Sequence, residues 1–266
     1  LRIEYSGPSC HDAFMSIAQK SLDRDAELEL SVVVPVYNES ENVAQLVEEI
    51  AQALFATSYE MIFVDDCSTD KTIEVLKDLK SKHPTLRVIS HKANAGQSRS
   101  VRTGVFAAKG DLIATLDGDG QNNPADIPKM WAQINRDDAP ENLALVGGKR
   151  LKRQDSQAKL LASRVGNGIR KKLLKDQAED TGCGIKVFKR EAFLRLPYFD
   201  HIHRYIPALM LREGYAIEFS DVSHRARIAG KSKYTNFGRL KVSIADIRGV
   251  MWLISRSRNP QGWDEI

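Results

Sequence analysis

The 266-residue sequence predicts an α/β fold, a doubly wound, mostly parallel sheet flanked by helices. Three observations predict it. Leu30-Ser-Val-Val-Val-Pro-Val36 is an unbroken β-branched run, as expected of a strand covered on both faces. Stretches of helical period alternate with further short apolar runs through the front half of the chain. The acidic and glycine-containing motifs fall just after those runs, at the carboxyl ends of strands, where open α/β sheets bind their ligands.

In order along the chain, strand Leu30–Val36 is followed by a helix with Val43, Leu46, Val47 and Ile50 at helical spacing, for which Asn38 or Ser40 is the expected cap. Met61–Val64 is a second strand ending in Asp65-Asp66, and Asp70 precedes a helix carrying Ile73, Leu76 and Leu79. Leu86–Ile89 is the third strand, with a helix over Gln97–Ala108; Leu112–Leu116 is the fourth, with a helix over Ile127–Ile134; Leu143–Val146 is the fifth. No internal repeat interrupts this rhythm. From Phe237 onward, Phe237, Leu240, Ile244, Ile247, Met251 and Ile254 step by three and four, with Arg239, Lys241, Arg248 and Arg256 elsewhere, which predicts a basic amphipathic helix. Three units are expected: an arm outside the fold over 1–28, the α/β domain over 29–235, and a membrane- or partner-facing helix and tail over 236–266.

Hydrophobic content of 42% and charged content of 28% describe an ordinary globular protein. Cys10, Cys67 and Cys183 stand far apart, which suggests neither a disulfide framework nor a zinc site and favours a reducing, cytosolic compartment. No stretch reaches the roughly 18–20 apolar residues of a membrane-spanning helix, and the first thirty residues lack a signal-peptide pattern. The net charge of +4 hides an asymmetry. Lys149–Lys175 holds ten basic residues against Asp155, and Arg225–Arg258 nine against Asp246. Such a surface favours phosphates, anionic lipid or nucleic acid. Nucleic acid is disfavoured, because 149–175 contains no aromatic residue for base stacking.

Asp117-Gly-Asp119 is the strongest chemical signal. Residues i and i+2 of a strand share a face, so both carboxylates would meet a divalent cation, and Mg²⁺ and Mn²⁺ prefer carboxylate and phosphate oxygens. Pro35-Val-Tyr37-Asn38-Glu39 reads either as a strand-to-helix turn or as Tyr37 and Glu39 around a nucleotide base and ribose. Adjacent Asp65 and Asp66 repel when uncompensated, and Asp66 is suited to accept from a base N–H or ribose hydroxyl. In Asn94-Ala-Gly96-Gln-Ser-Arg99, Gly96 reads as a turn glycine and Arg99 as a phosphate or sugar contact.

Taken together and in this order, Pro-x-Tyr-Asn-Glu at 35–39, Asp-Asp-x-Ser-x-Asp at 65–70, Asn-x-Gly at 94–96 and Asp-x-Asp-x-Gln at 117–121 resemble glycosyltransferase family 2, with its GT-A (Rossmann-like) fold. The later segments are similar to the polyprenyl-phosphate branch typified by dolichol-phosphate mannose synthase. The resemblance covers about residues 30–258. It implies a GDP- or UDP-linked sugar donor, Mg²⁺ or Mn²⁺ held by Asp117 and Asp119 with Gln121 as a further metal or donor contact, and inverting transfer to a polyprenyl phosphate. The motif positions Pro35, Tyr37, Glu39, Asp66, Asn94, Gly96 and Arg99 become donor contacts. Gly148-Lys149-Arg150 is similar to the family's Gly-Ser-Arg, with Lys149 a departure, and the resemblance implies that Arg150 helps hold the acceptor phosphate. Lys159-x-x-x-Ser163-Arg164-x-x-Asn167 matches the acceptor-phosphate stretch, where Lys159 supplies a point charge in place of an arginine fork.

Asp180-Thr-Gly182-Cys-Gly184-Ile-Lys186 resembles the loop whose acid serves many relatives as general base. A phosphate monoester, with a second pKa of about 6, is already anionic near neutrality. Asp180 is therefore expected to orient the acceptor and sugar, with base catalysis as the alternative. His203-Arg204-Tyr205-Ile-Pro207 resembles a sugar-pocket segment. Arg227-x-x-Gly230-x-Ser232-Lys233-Tyr234 is similar to a basic mobile loop closing over the diphosphate, where Arg227 and Lys233 would neutralise the leaving group. The expected location is the cytosolic face of a membrane, with peripheral attachment to an anionic surface or an integral membrane partner. Transfer to a sugar hydroxyl in envelope polysaccharide assembly, and a non-catalytic sugar-nucleotide-binding module, are the rival readings.

Overall fold

The computed structural model describes residues 28–150, 168, 170–176, 178, 180, 182–225 and 236–258, the side chains of 236–242 excepted. The strands are β1 (Leu30–Val36), β2 (Tyr59–Asp65), β3 (Leu86–Ser90), β4 (Leu112–Thr115), β5 (Leu143–Arg150), β6 (Lys186–Lys189) and β7 (Ala216–Val222). The helices are α1 (Val43–Ala53), α2 (Thr72–Lys80), α3 (Gln97–Ala107), α4 (Ile127–Ile134), α5 (Arg190–Leu194), α6 (Ile206–Arg212) and α7 (Asn236–Ser255). The seven strands form one sheet in the order β3-β2-β1-β4-β6-β5-β7.

β1 is an interior strand, flanked by β2 and β4, and every one of its seven residues is buried. Leu30, Val32, Val34 and Val36 point into one core, against Val43, Leu46, Val47 and Ile50 of α1 and Ile127 and Met130 of α4. Val33 points into the opposite core, with Val101 and Val105 of α3, Phe188 and Phe193, and α6. Each fully buried Val or Leu contributes about 1.5–3 kcal/mol relative to exposure, so the alternation fixes β1 between two apolar layers.

β1 pairs in parallel with β2 and β4, and β2 with β3. β6 runs antiparallel between β4 and β5, and β7 closes the sheet in parallel beside β5. The sequence reading names neither β6 nor β7. β6 is only four residues, Lys-Val-Phe-Lys, too short for a periodic signal, and only its long-range pairing makes it a strand. Its insertion brings Lys186 opposite both Thr115 of β4 and Gly147 of β5.

Two local expectations are corrected. Neither Asn38 nor Ser40 caps α1, which starts at Val43 without a side-chain cap. Asn38 instead adopts φ 53° and its side-chain oxygen accepts from the Thr69 N–H at 2.7 Å, joining the ends of β1 and β2. Asp70 does serve the start of α2, accepting from the Thr72 N–H at 3.0 Å. The second correction concerns α7. Ile247, Val250, Leu253 and Ile254 pack on the second core, but Ile244 and Met251 of the predicted apolar stripe are exposed, together with Trp252. The register follows from docking: His201 Nδ1 meets Asp246 at 3.1 Å and Arg212 Nε donates to the Leu253 carbonyl at 3.0 Å. Phe237 and Leu240 have side chains outside the described residues, as does the expected arm, Leu28 excepted. Among the described residues, no helix is long and apolar enough to cross a membrane.

Candidate functional site

Asp117 and Asp119 leave the end of β4 at the carboxyl edge of the sheet. Asp117 is fixed from three directions. Its N–H donates to Asn122 Oδ1 at 3.0 Å, its Oδ1 accepts from Gln97 Nε2 at 2.8 Å, and its carboxylate lies against Gly184. A Cβ at Gly184 would overlap that carboxylate and stand 2.6 Å from Asn122 Oδ1, so this close approach demands glycine. Burial, reinforced by the charge of Asp119, pushes the Asp117 carboxyl up to about 6. Asp119 accepts from the Gln121 N–H at 3.1 Å.

The loop before β6 and the end of β5 supply the opposite wall. Arg150 grips Asp180 through two parallel bonds, Nε to Oδ2 at 2.6 Å and Nη2 to Oδ1 at 2.7 Å. Burial alone would lower the pKa of Arg150; the hydrogen bonds and charge of Asp180 more than offset it. Lys186 is buried beneath this pair and donates to the Cys183 carbonyl. Burial drives its pKa down, against the pull of nearby Asp117 and Asp180. A buried ammonium beside two carboxylates is a fixed counter-charge in a low-dielectric floor.

On the β2 side, Asp66 is itself buried and organises the following loop. It accepts from the Ala95 N–H at 2.9 Å, the Gly96 N–H at 2.8 Å, and pairs with His91 Nδ1 at 2.8 Å. Asn94 Nδ2 donates to the Asp66 carbonyl at 3.1 Å. Gly96, at φ 85°, makes the turn into α3. Ser98, in the first turn of α3, lies 2.7 Å from His203 Nδ1. Burial, aided by the cations Arg204 and Lys186, keeps His203 neutral, its pKa well below 6.5. Arg99 stacks 3.8 Å above the Tyr198 ring. Beyond β7, Arg225 donates its N–H to the Gln121 carbonyl at 3.0 Å, and Gln121 Nε2 reaches the Arg225 carbonyl at 3.5 Å. The chain thus leaves β7 beside the Asp117–Asp119 edge.

A strand-end carboxylate pair, a buried lysine and an arginine–aspartate clamp gather on one sheet edge, a set suited to phosphate chemistry. The sequence model described as "Glycosyl transferase family 2" matches residues 31–196, more than half of the chain. The chain belongs to glycosyl transferase family 2. It is 33% identical over 239 residues to the dodecaprenyl-phosphate galacturonate synthase of Rhizobium johnstonii, covering 88% of this chain and 69% of that protein. It is 32% identical over 211 residues to the undecaprenyl-phosphate 4-deoxy-4-formamido-L-arabinose transferase of Proteus mirabilis, covering 77% of this chain and 63% of that protein. The chain therefore spans somewhat under two thirds of that relative. Its fold is that of the glucosyl-3-phosphoglycerate synthase of Mycobacterium tuberculosis, crystallised with Mn²⁺, UDP-glucose and phosphoglyceric acid. The TM-score is 0.63 at 16% identity, over 97% of this chain and 87% of that one. The GT-A expectation is borne out at the level of fold.

In this family 2 chain the expected site residues fall at several places. Asp117, Asp119, Gln121, Arg150 and Asp180 gather at the ends of β4 and β5, and Asp66, Asn94 and Gly96 form one loop beside them. His203 joins through Ser98, and the Arg204 carbonyl accepts from buried Arg170 at 3.3 Å. At the end of β1, the Glu39 N–H donates to Thr72 Oγ1 at 2.8 Å and its carboxylate accepts from Asn42 at 2.7 Å; Pro35 is held in register with Val64 and Tyr37 is half-buried. Lys159, Ser163, Arg164, Asn167, Arg227 and Lys233 lie outside the described residues. Sequence reasoning missed Gln97, Ser98, His91 and Asn122 as site-building residues. Gln97 and Ser98 stood inside a quoted motif, but nothing local marks a partner 20 or 105 residues away. Lys186 carried a signal, as the basic residue that closes the Asp180–Lys186 motif.

Proposed function

We propose that the chain transfers one sugar, with inversion, from a GDP- or UDP-linked donor to a polyprenyl phosphate at the cytosolic face of a membrane. The relatives named above act on dodecaprenyl and undecaprenyl phosphate, which supports this acceptor class. The observation that carries it is the Arg150–Asp180 clamp. A sugar hydroxyl needs a base to take its proton, and a carboxylate whose two oxygens both accept from a guanidinium is a weak one, because the adjacent cation favours its ionised form. A phosphate monoester, with a second pKa of about 6, needs no such help.

Asp117 and Asp119 fit a divalent ion. They are hard oxygen donors, and burial and mutual repulsion leave Asp117 short of counter-charge. Among the described residues no third carboxylate, His or Cys completes a cluster, so Gln121, donor diphosphate oxygens and water would supply the remaining oxygen contacts. When bound, Mg²⁺ or Mn²⁺ offsets charge on the departing diphosphate. The chain's own residues orient the rest. Gln97 and Asn122 hold Asp117; Lys186 offsets the negative floor; His203, kept neutral, faces the sugar as a hydrogen-bonding group. The acceptor phosphate oxygen forms the new bond to the anomeric carbon as the bond to the nucleoside diphosphate breaks on the opposite face. Arg227 and Lys233, just beyond Arg225, are assigned to the leaving diphosphate, and Lys159, Ser163, Arg164 and Asn167 to the acceptor phosphate. The exposed Ile244, Met251, Trp252 and Arg248 of α7 suit contact with an anionic membrane surface.

Labelled UDP- and GDP-sugars incubated with undecaprenyl phosphate and Mn²⁺ test this reading. Mild-acid-labile label is expected in the organic phase and lost in Asp119→Ala. Label reaching only a sugar hydroxyl would refute the phosphate acceptor.

A further inference from the structure

The first turn of α3 carries an inference that rests on the glycosyltransferase reading above. Gln97 and Ser98 are adjacent in sequence but serve different parts of the site. Gln97 Nε2 donates to Asp117 Oδ1 at 2.8 Å, at the end of β4. Ser98, only 1% exposed, pairs at 2.7 Å with Nδ1 of His203, in the short turn Ile202–Arg204. The N-cap position of the helix is Gly96, and both side chains reach across to other elements. The turn that presents them is in turn fastened to β2 by the Ala95 and Gly96 N–H groups on Asp66.

We propose that Gln97 and Ser98 are positioning residues that fix the metal-side carboxylate and the sugar-side imidazole from one rigid turn. Neighbouring Cα atoms are 3.8 Å apart across a trans peptide, so two bonds from adjacent residues set the spacing of two groups that lie 86 residues apart in the chain, at 117 and 203. Asp117 has a particular need for this. Repulsion from Asp119 favours turning its carboxylate away, and the charge-assisted bond from Gln97 opposes that. His203, being neutral, has one ring nitrogen taken by Ser98, which orients the other.

The two arms separate by readout. Gln97→Met keeps the length but not the donor, and is expected to weaken Mn²⁺ binding in the presence of UDP about tenfold by electron paramagnetic resonance titration. Ser98→Ala is expected to leave that Mn²⁺ affinity within twofold and to lower the turnover of sugar transfer about tenfold at unchanged donor KM, with Ser98→Thr restoring most of it. Far-ultraviolet circular dichroism checks that each variant is folded, and Gln97→Ala replaces the methionine variant if that one is not. Wild-type Mn²⁺ affinity in folded Gln97→Met, or equal turnover loss in Ser98→Ala and Ser98→Thr, would overturn the proposal. A wild-type chain that binds no Mn²⁺ with UDP and transfers no sugar would instead bring down the glycosyltransferase reading, and this inference with it.

Discussion

Replacing Gly184 with alanine adds one methyl group where the loop before β6 meets the end of β4. The new carbon would overlap the Asp117 carboxylate and stand 2.6 Å from Asn122 Oδ1. Ordinary contact begins near about 3.5 Å, so these groups must retreat by roughly 1 Å. Neither retreats freely. Asn122 Oδ1 is held by the Asp117 N–H at 3.0 Å, and Asp117 Oδ1 by Gln97 at 2.8 Å. The loop cannot back away, because Thr115 Oγ1 donates to the Gly184 carbonyl at 2.9 Å and the Gly148 N–H to the Ile185 carbonyl at 3.1 Å. Overpacking of this kind costs about 1–3 kcal/mol, offset by up to about 1 kcal/mol from the stiffer unfolded chain. The net expectation is a loss of about 1–2 kcal/mol in urea unfolding. Catalysis should suffer more, since a displacement of about 1 Å in a reacting group costs on the order of a hundredfold. Steady-state transfer at saturating Mn²⁺ reads the second effect. A Gly184→Ala protein with transfer within twofold of wild type would refute the close approach of Gly184 to Asp117 as the reason for glycine.

Three further perturbations address other parts of the molecule. Asp180→Asn weakens the clamp on Arg150 without emptying its space; transfer to a polyprenyl phosphate should fall about tenfold, whereas a thousandfold loss would restore Asp180 as a general base. His203 is held neutral in the fold, with a pKa well below its ordinary 6.5, so the unfolded chain binds the extra proton first and stability falls as pH drops below about 6.5. Between pH 7.5 and 5.5 the wild type should therefore lose more stability than His203→Gln in urea titrations at the two pH values. On α7, Arg248→Glu should weaken binding to vesicles containing anionic lipid by at least fivefold, at about 1 kcal/mol per basic residue near the surface, while binding to neutral vesicles stays unchanged. Equal binding to both would remove α7 as the membrane-facing element.

The parts of this protein legible in its sequence are those that local physics dictates. A seven-residue β-branched run must be covered on both faces, and β1 is. Helical spacing in 43–50 and 127–134 names the faces of α1 and α4 that meet the core. Asp117 and Asp119 had to emerge at a strand's carboxyl end, because the apolar run stops there. The ordered motifs then carried the family.

What only the tertiary structure decided depends on pairings that leave no local trace. The insertion of β6 between β4 and β5 puts Lys186 under the acidic edge and Gly184 against Asp117. Arg150 and Asp180 read in sequence as two separate ligand-binding residues, but across 30 positions they form one clamp. Asp66 reads as a nucleotide contact, and its carboxylate organises the loop that starts α3. The apolar period of α7 was plain, but its register was not, since docking through His201 and Arg212 turns Ile244 and Met251 outward. Spacing along a chain encodes which side chains share a face; which face meets which is set by packing summed over the whole fold.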